Sequence, residues 1–228
     1  MVKLKKANAV IIVVVVILTL FGYAQYKENQ KYERYLSRQL FNNVSRLSWS
    51  TVLNGFVLDD VLTEKKITQK QLSIIQNKYS DIRTYGGQVI DLASQYLTRL
   101  NVEEYDIHPY PLYMASDVLH YLDMLERDKL KGEEYVTLSA EEPKRYKLMK
   151  SINNVWVKSI TENIKGIHIP SSENVVDGAV KQNSEYITTD SYRDIYRNNM
   201  VNSNDWIEMI REMQRSSEEY ERQVENLF

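Results

Sequence analysis

The chain has 228 residues, a formal net charge of −2, 26% charged side chains and no cysteine. The missing thiols exclude disulfide stapling, a cysteine nucleophile and the lipid-carrying cysteine of a bacterial lipobox. Both signs are interspersed with no lysine-arginine block, which excludes a nucleic-acid binder, and 43% apolar residues exclude an acidic disordered chain.

Lys3, Lys5 and Lys6 precede an uncharged stretch that ends only at Lys27, with its apolar core from Ala9 to Gly22. About 18–20 residues rising ~1.5 Å each span the roughly 30 Å hydrocarbon layer of a bilayer. Residues 7–26 therefore read as a transmembrane signal-anchor helix, with Tyr23 and Tyr26 at the interface. The lysines favour a cytoplasmic N-terminus, residues 1–6, and an extracytoplasmic domain, residues 27–228, in the cell membrane. The alternative is a secreted chain cleaved near Ala24, since Gly22-Tyr23-Ala24 is a small-x-small site. Against cleavage, the run exceeds the roughly 7–15 residues of a signal-peptide core and lacks a polar segment before the cut. On that topology residues 1–6 are expected to be too short for a cytoplasmic signalling domain. Removing the +3 of the N-terminal lysines from −2 leaves the outer part at −5.

The outer part reads as all-α, an antiparallel bundle of long helices whose first member continues the anchor. Residues 27–100 are expected to form a long helical hairpin. Its first arm carries Leu36, Leu40, Val44, Trp49, Val52, Leu53, Phe56, Val57, Asp60 and Val61 on one face. Asn54-Gly55 is a turn signal in isolation, but this periodicity passes straight through it. Thr63 to Lys66 turns the chain, and Thr68 with Gln71 makes a capping box beside the staple pair Ile67 and Leu72. Leu72, Ile75, Tyr79, Ile82, Gly86, Val89, Ala93, Tyr96 and Leu100 then recur at alternating spacings of 3 and 4, a helix seam. Gly86-Gly87 marks a candidate kink within it.

Residues 101–228 are expected to add further helices, with loops near 101–112 and 166–189. Ala115, Val118, Leu119, Leu122 and Leu125 mark a short helix after the loop that ends in His108-Pro-Tyr-Pro111. Ser139 and Glu142 make a second capping box, and Leu148, Met149, Ile152, Val155, Trp156, Ile160 and Ile164 follow as an apolar face ended by Gly166. Ile167 to Pro170 reads as extended, Ser171 to Ser184 as a mobile polar loop, and Tyr192–Asn199 as a short helix. The last helix is expected to start at Asn202, with Trp206, Ile210, Met213, Ser217, Tyr220, Val224 and Leu227 holding the seam spacing to the end.

Chemistry is thin. Asp117, His120 and Asp123 have spacing that suits a metal, but equally suits a solvated helix face, and no stronger ligand motif accompanies them. His108 reads as a loop residue and His168 as a partly buried one. The acid pairs are sequence neighbours, which point about 100° apart on a helix and do not face each other across a cleft. No G-x-S-x-G, glycine-rich phosphate loop, cofactor motif or convincing metal-ligand set is present.

The compositional oddity is 17 tyrosines against 4 phenylalanines. Tyr105, Tyr110 and Tyr113 bracket the proline loop, and Tyr186, Tyr192 and Tyr196 follow the polar one, so both groups are candidate partner surfaces. The competing reading is that tyrosine borders a thin core, as Tyr79 and Tyr96 would on their seam. The layout fits a tethered interaction domain, an assembly factor, accessory subunit or regulator of an envelope complex, with no enzymatic role and no cofactor. Its expected partner is a membrane or envelope protein, with self-association through the helix seams as a further expectation. The alternatives are a ligand-binding, sensor-like accessory domain and an envelope enzyme using Asp117, His120 and Asp123 with a metal.

Overall fold

In the computed structural model, residues 2–103, 105, 109–176, 178–180 and 187–228 are described, with side chains from Ile11 onward except Leu227. The fold is all-α with two small β-ribbons. Val2–Glu64 is one unbroken helix, α1, about 95 Å long at ~1.5 Å per residue. By length and composition it can cross a membrane near its N-terminus. No side chain from Ile11 to Leu36 is buried; the first is Ser37. The apolar run thus leads through a solvated stalk, about 16 Å from Tyr26 to Ser37, into the bundle.

Within the bundle α1 is enclosed rather than one-sided: Ser50 to Gly55 are all buried. Asn54-Gly55, a turn signal locally, lies at this most enclosed level. There Asn54 Nδ2 donates to Asn153 Oδ1 at 3.2 Å, and Asn153 Nδ2 donates to the Thr51 carbonyl at 3.0 Å. A Cβ on Gly55 would stand 3.0 Å from Asn153 Nδ2 and 3.4 Å from Lys150 Nζ, so the glycine permits that approach. Lys150 uses the space to donate to the Gly55 carbonyl and to Asp59. Asp60, expected on the apolar face, is exposed.

Lys65, at φ +53°, reverses the chain. The next residues, Lys66–Thr68 (β1), pair antiparallel with Tyr135–Thr137 (β2), a ribbon the helical periodicity did not reveal. Thr68 then caps α2, Gln69–Asp91, with both bonds of the capping box formed. Gly86-Gly87 does not break α2; Leu112 packs over both glycines, 3.1 Å from the Cβ that Gly86 lacks. The seam is buried from Leu72 to Ala93, but Tyr96 is 77% exposed. The helix widens to π geometry over Leu92–Tyr96, which delays the phase and turns Tyr96 outward.

Tyr110–Leu125 (α3) rises beside α2, Glu142–Asn163 (α4) descends along α1, and Asp205–Glu218 (α6) closes the bundle. The contacts run α1 to α2 to α3 to α6 to α4 and back to α1, a ring of five helices. Ser50 with Asp81 and Arg46 with Tyr85 fix α2 antiparallel to α1; Asn54 with Asn153 and Asp59 with Lys150 do the same for α4. An odd ring cannot alternate throughout. The parallel pair is α3 with the α6 side, because Tyr110 meets Gln214 while Tyr121 meets Phe228.

Ser139 and Glu142 form half of the expected box. The Ser139 N–H donates to Glu142 Oε2 at 2.6 Å, but α4 starts at Glu142 itself, behind Glu141 and ahead of Pro143. Glu142 is 2% exposed and also pairs with Lys129 at 2.8 Å. Burial alone would raise its pKa, but the Lys129 ammonium and the Ser139 donors outweigh that and hold it below the ordinary 4.5. A depressed carboxylate stabilises the fold above the unfolded-state pKa, and that stability is lost as pH falls through the folded value. Glu142→Gln is expected to cost about 1–2 kcal/mol at pH 7 and to flatten the acid limb below pH about 4.5, read by urea unfolding across pH 3–7. An unchanged acid limb would contradict the assignment.

The stretch 166–189 is less loose than its composition suggests. Ile167 bridges to Thr188, and His168 alternates outward to become exposed rather than partly buried. Val175–Val176 (β3) and Ala179–Val180 (β4) form a hairpin whose Gly178 sits against Ile74 and Val57, covering the α1–α2 groove. Residues 177 and 181–184 of the expected polar loop lie outside the described residues. Asp190–Tyr196 (α5), capped by Thr189, fits the expected short helix. The last helix starts at Asp205, not Asn202, since Met200–Asn202 forms a 3-10 turn. It breaks after Glu218 before Glu221–Leu227 (α7), so the seam is not one helix to the end.

Candidate partner surface

The proline loop delivers a tyrosine corner. Pro109 has no N–H and Pro111 occupies the first turn of α3, where none is needed. The Leu112 and Tyr113 N–H groups donate back to the Pro109 carbonyl at 2.9 and 3.1 Å, which fixes the helix start. The Tyr110 N–H instead donates to Gln214 Oε1 at 3.1 Å, pinning α3 to α6. Tyr110 and Tyr113 are one turn apart; Tyr110 is half-buried and Tyr113 is 49% exposed. Tyr105 is buried, its N–H donating to the Asn101 carbonyl.

Tyr105 and Tyr110 line one side of a cleft of about 520 Å³, together with Asn163 at the end of α4 and the polar face of α6. That face carries Glu208, Arg211, Glu212, Arg215 and Glu218. Arg211 pairs with Glu208 at 2.7 Å, and Arg215 pairs with Glu212, each one turn away. Burial raises the Tyr110 hydroxyl above its ordinary pKa, with Glu221 and Glu218 adding to it, so the phenol stays a neutral donor. The cleft can therefore offer aromatic surface, a phenol donor and charges of both signs. The α6 charges were not selected from the sequence. Their signal was the face opposite Trp206, Ile210, Met213 and Ser217.

The second tyrosine group does not form a surface. Tyr186 lies outside the described residues. Tyr192 and Tyr196 are buried. Tyr192 stacks on Phe41 with centroids 4.6 Å apart and donates to the Phe41 carbonyl at 2.7 Å. Tyr196 donates to Asp205 and accepts from the Lys165 N–H at 3.1 Å. Burial drives both hydroxyls well up, reinforced by the neighbouring Tyr196 at Tyr192 and by Asp205 at Tyr196. These residues dock a two-turn helix onto α1, and their i,i+4 spacing was the sign of an inward face. Tyr79, Tyr105, Tyr121 and Tyr146 are buried as well, so much of the tyrosine excess serves as core.

His120 and Asp117 are exposed on α3, and Asp123 accepts from Gln76 Nε2 at 2.9 Å. Among the described residues no three His, Cys, Asp or Glu side chains converge to hold a metal. His108 lies outside the described residues. Compared with known protein families, curated proteins and solved structures, the chain matches none. The class defined by its own geometry is an all-α ring of helices carried on a long apolar-tipped helix.

Proposed function

We propose that this chain is a membrane-anchored interaction domain, held outside the cytoplasmic membrane by residues 7–26. In this reading the Tyr105–Tyr110–Tyr113 corner and the adjoining α6 face receive a protein partner of the envelope, as an assembly factor, accessory subunit or regulator would. The observation that carries it is the half-exposed Tyr113, one helical turn from the Tyr110 that lines an open, mixed-charge cleft. Aromatic anchors with a charged rim are what protein interfaces favour. The lysines before the apolar run and the absence of buried side chains from Ile11 to Leu36 support the anchored topology.

The test is in-cell cross-linking of the tagged full-length chain, with identification of the covalent adducts. A partner captured by the native chain is expected to fall at least tenfold in Tyr110→Ala/Tyr113→Ala, which deletes aromatic contact but no core side chain. Capture unchanged in that variant sinks the surface assignment. Adducts between identical chains would instead favour self-association. A ligand-binding, sensor-like role is the second reading, because about 520 Å³ falls within the range of small-molecule sites. A ligand that raises the melting temperature of the full chain in proportion to the logarithm of its concentration would favour it.

A further inference from the structure

At the end of the bundle nearest the apolar run, α5 lies against α1 and three arginines meet around one hollow. Arg38 comes from α1, Arg193 from the last turn of α5, and Arg197 stands at the C-cap just past that helix. Phe41 and Asn42 complete the wall, and the hollow has a volume of about 340 Å³. Nothing in the local sequence of either helix announces this site, because 155 residues separate Arg38 from Arg193.

The C-terminal end of α5 favours cations at Arg193 and Arg197, but that local effect does not extend to Arg38, which brings a third like charge from α1. Asp190 pairs with Arg193 at 3.0 Å, but both side chains are largely exposed, so the pair is screened. Arg38 donates to Asn198 Oδ1 at 3.4 Å, a long and uncharged contact. Arg197 makes no ion pair among the described residues, and Asp194 points from an exposed position on the same short helix. Three arginines therefore line one space, and the Arg193–Asp190 contact is their one ion pair among the described residues.

We infer that this hollow is a binding site for a phosphate group carried as a monoester or diester. Guanidinium forks match phosphate oxygens two at a time, and such charge-assisted bonds are among the strongest available in water. The Asn42 amide adds a neutral donor, and Phe41 gives an apolar wall for the carbon side of an ester. Arg38 stands about 18 Å beyond Tyr26 along α1. The head-group layer reaches only roughly 5–8 Å beyond the hydrocarbon, so the expected source is a free phosphate ester near the membrane; a lipid head group drawn out of the bilayer is the other source, which the titration separates. The site lies apart from the tyrosine corner and does not depend on a partner there.

The experiment uses the full-length chain in a neutral detergent, titrated calorimetrically with inorganic phosphate, short-chain phosphatidylglycerol and short-chain phosphatidylcholine. Saturable binding of phosphatidylglycerol and phosphate alike assigns a free phosphate group; binding of phosphatidylglycerol alone assigns the lipid head group. In either case Arg38→Gln/Arg197→Gln is expected to weaken binding at least tenfold, while Arg127→Gln, at an exposed arginine near the far end of the bundle, leaves it unchanged. Circular dichroism of the same samples establishes that the exposed-arginine variants retain the native helix content. Absence of saturable binding by the native chain overturns the inference, as does equal binding by the double variant. Equal affinity for phosphatidylglycerol and phosphatidylcholine without any for phosphate also overturns it, because the acyl chains would then be the ligand.

Discussion

Trp156→Ala is expected to lower stability by about 3–5 kcal/mol, the range for deleting a large aromatic from a packed core. Trp156 is fully buried on α4, edge-on to Tyr79 of α2 with ring centroids 6.3 Å apart. Its Nε1 donates to Ser217 Oγ of α6 at 2.8 Å, so one indole joins three helices of the ring. Alanine removes the apolar contact, leaves a cavity and takes away the donor at once. Domains of this size have about 5–15 kcal/mol to lose, so the variant stands near the edge of folding. At about 2–4 °C per kcal/mol, the thermal midpoint falls by roughly 6–20 °C. The readout is circular dichroism at 222 nm on the detergent-solubilised full chain, with Trp156→Phe as an intermediate. A fall smaller than about 3 °C would mean that α2, α4 and α6 do not converge on this residue.

Gly166→Val is expected to cost about 2–4 kcal/mol, by strain and by collision. Gly166 has φ +77°, where a β-branched residue is a genuine outlier. An added Cβ would stand 2.5 Å from the Tyr192 backbone nitrogen and 2.9 Å from Thr189 Oγ1. The Gly166 carbonyl also accepts from the Thr189 N–H and hydroxyl, both at 3.0 Å. The glycine is therefore the point where the end of α4 meets the start of α5. Valine there is expected to speed amide exchange across residues 189–197 well before the global transition. Exchange unchanged in that segment, with an unchanged thermal midpoint, would refute the close approach.

Periodicity carried far in this chain because helices are local objects. The buried faces of α2 and α4, the Thr68 capping box and the passage of α1 through Asn54-Gly55 all follow from repeats within a few turns. The seam failed where geometry changed without a change of pattern, at the π-helical turn that puts Tyr96 in solvent. The β1–β2 ribbon escaped notice for a different reason: three-residue strands whose paired residues stand 67 to 71 positions apart carry no repeat to read.

The candidate surface divides along the same line. Tyr110 and Tyr113 were legible because two prolines fix a helix start around them, and their register on that helix follows. Tyr192 and Tyr196 resembled them in composition, but packing against α1 consumed them. The arginine hollow could not be read at all, since it gathers residues from distant segments; the charged face of α6 was legible as the side opposite Trp206, but not as the wall of a cleft.

By itself the sequence determined an apolar helix fit for a membrane, an all-α outer part and most inward faces, because spacing along one helix decides which residues share a side. Only the tertiary structure decided which helices neighbour one another, which tyrosines stay at the surface and where charges collect. Those outcomes depend on how five helices close into a ring, and ring closure is a property of contacts between segments that no single segment encodes.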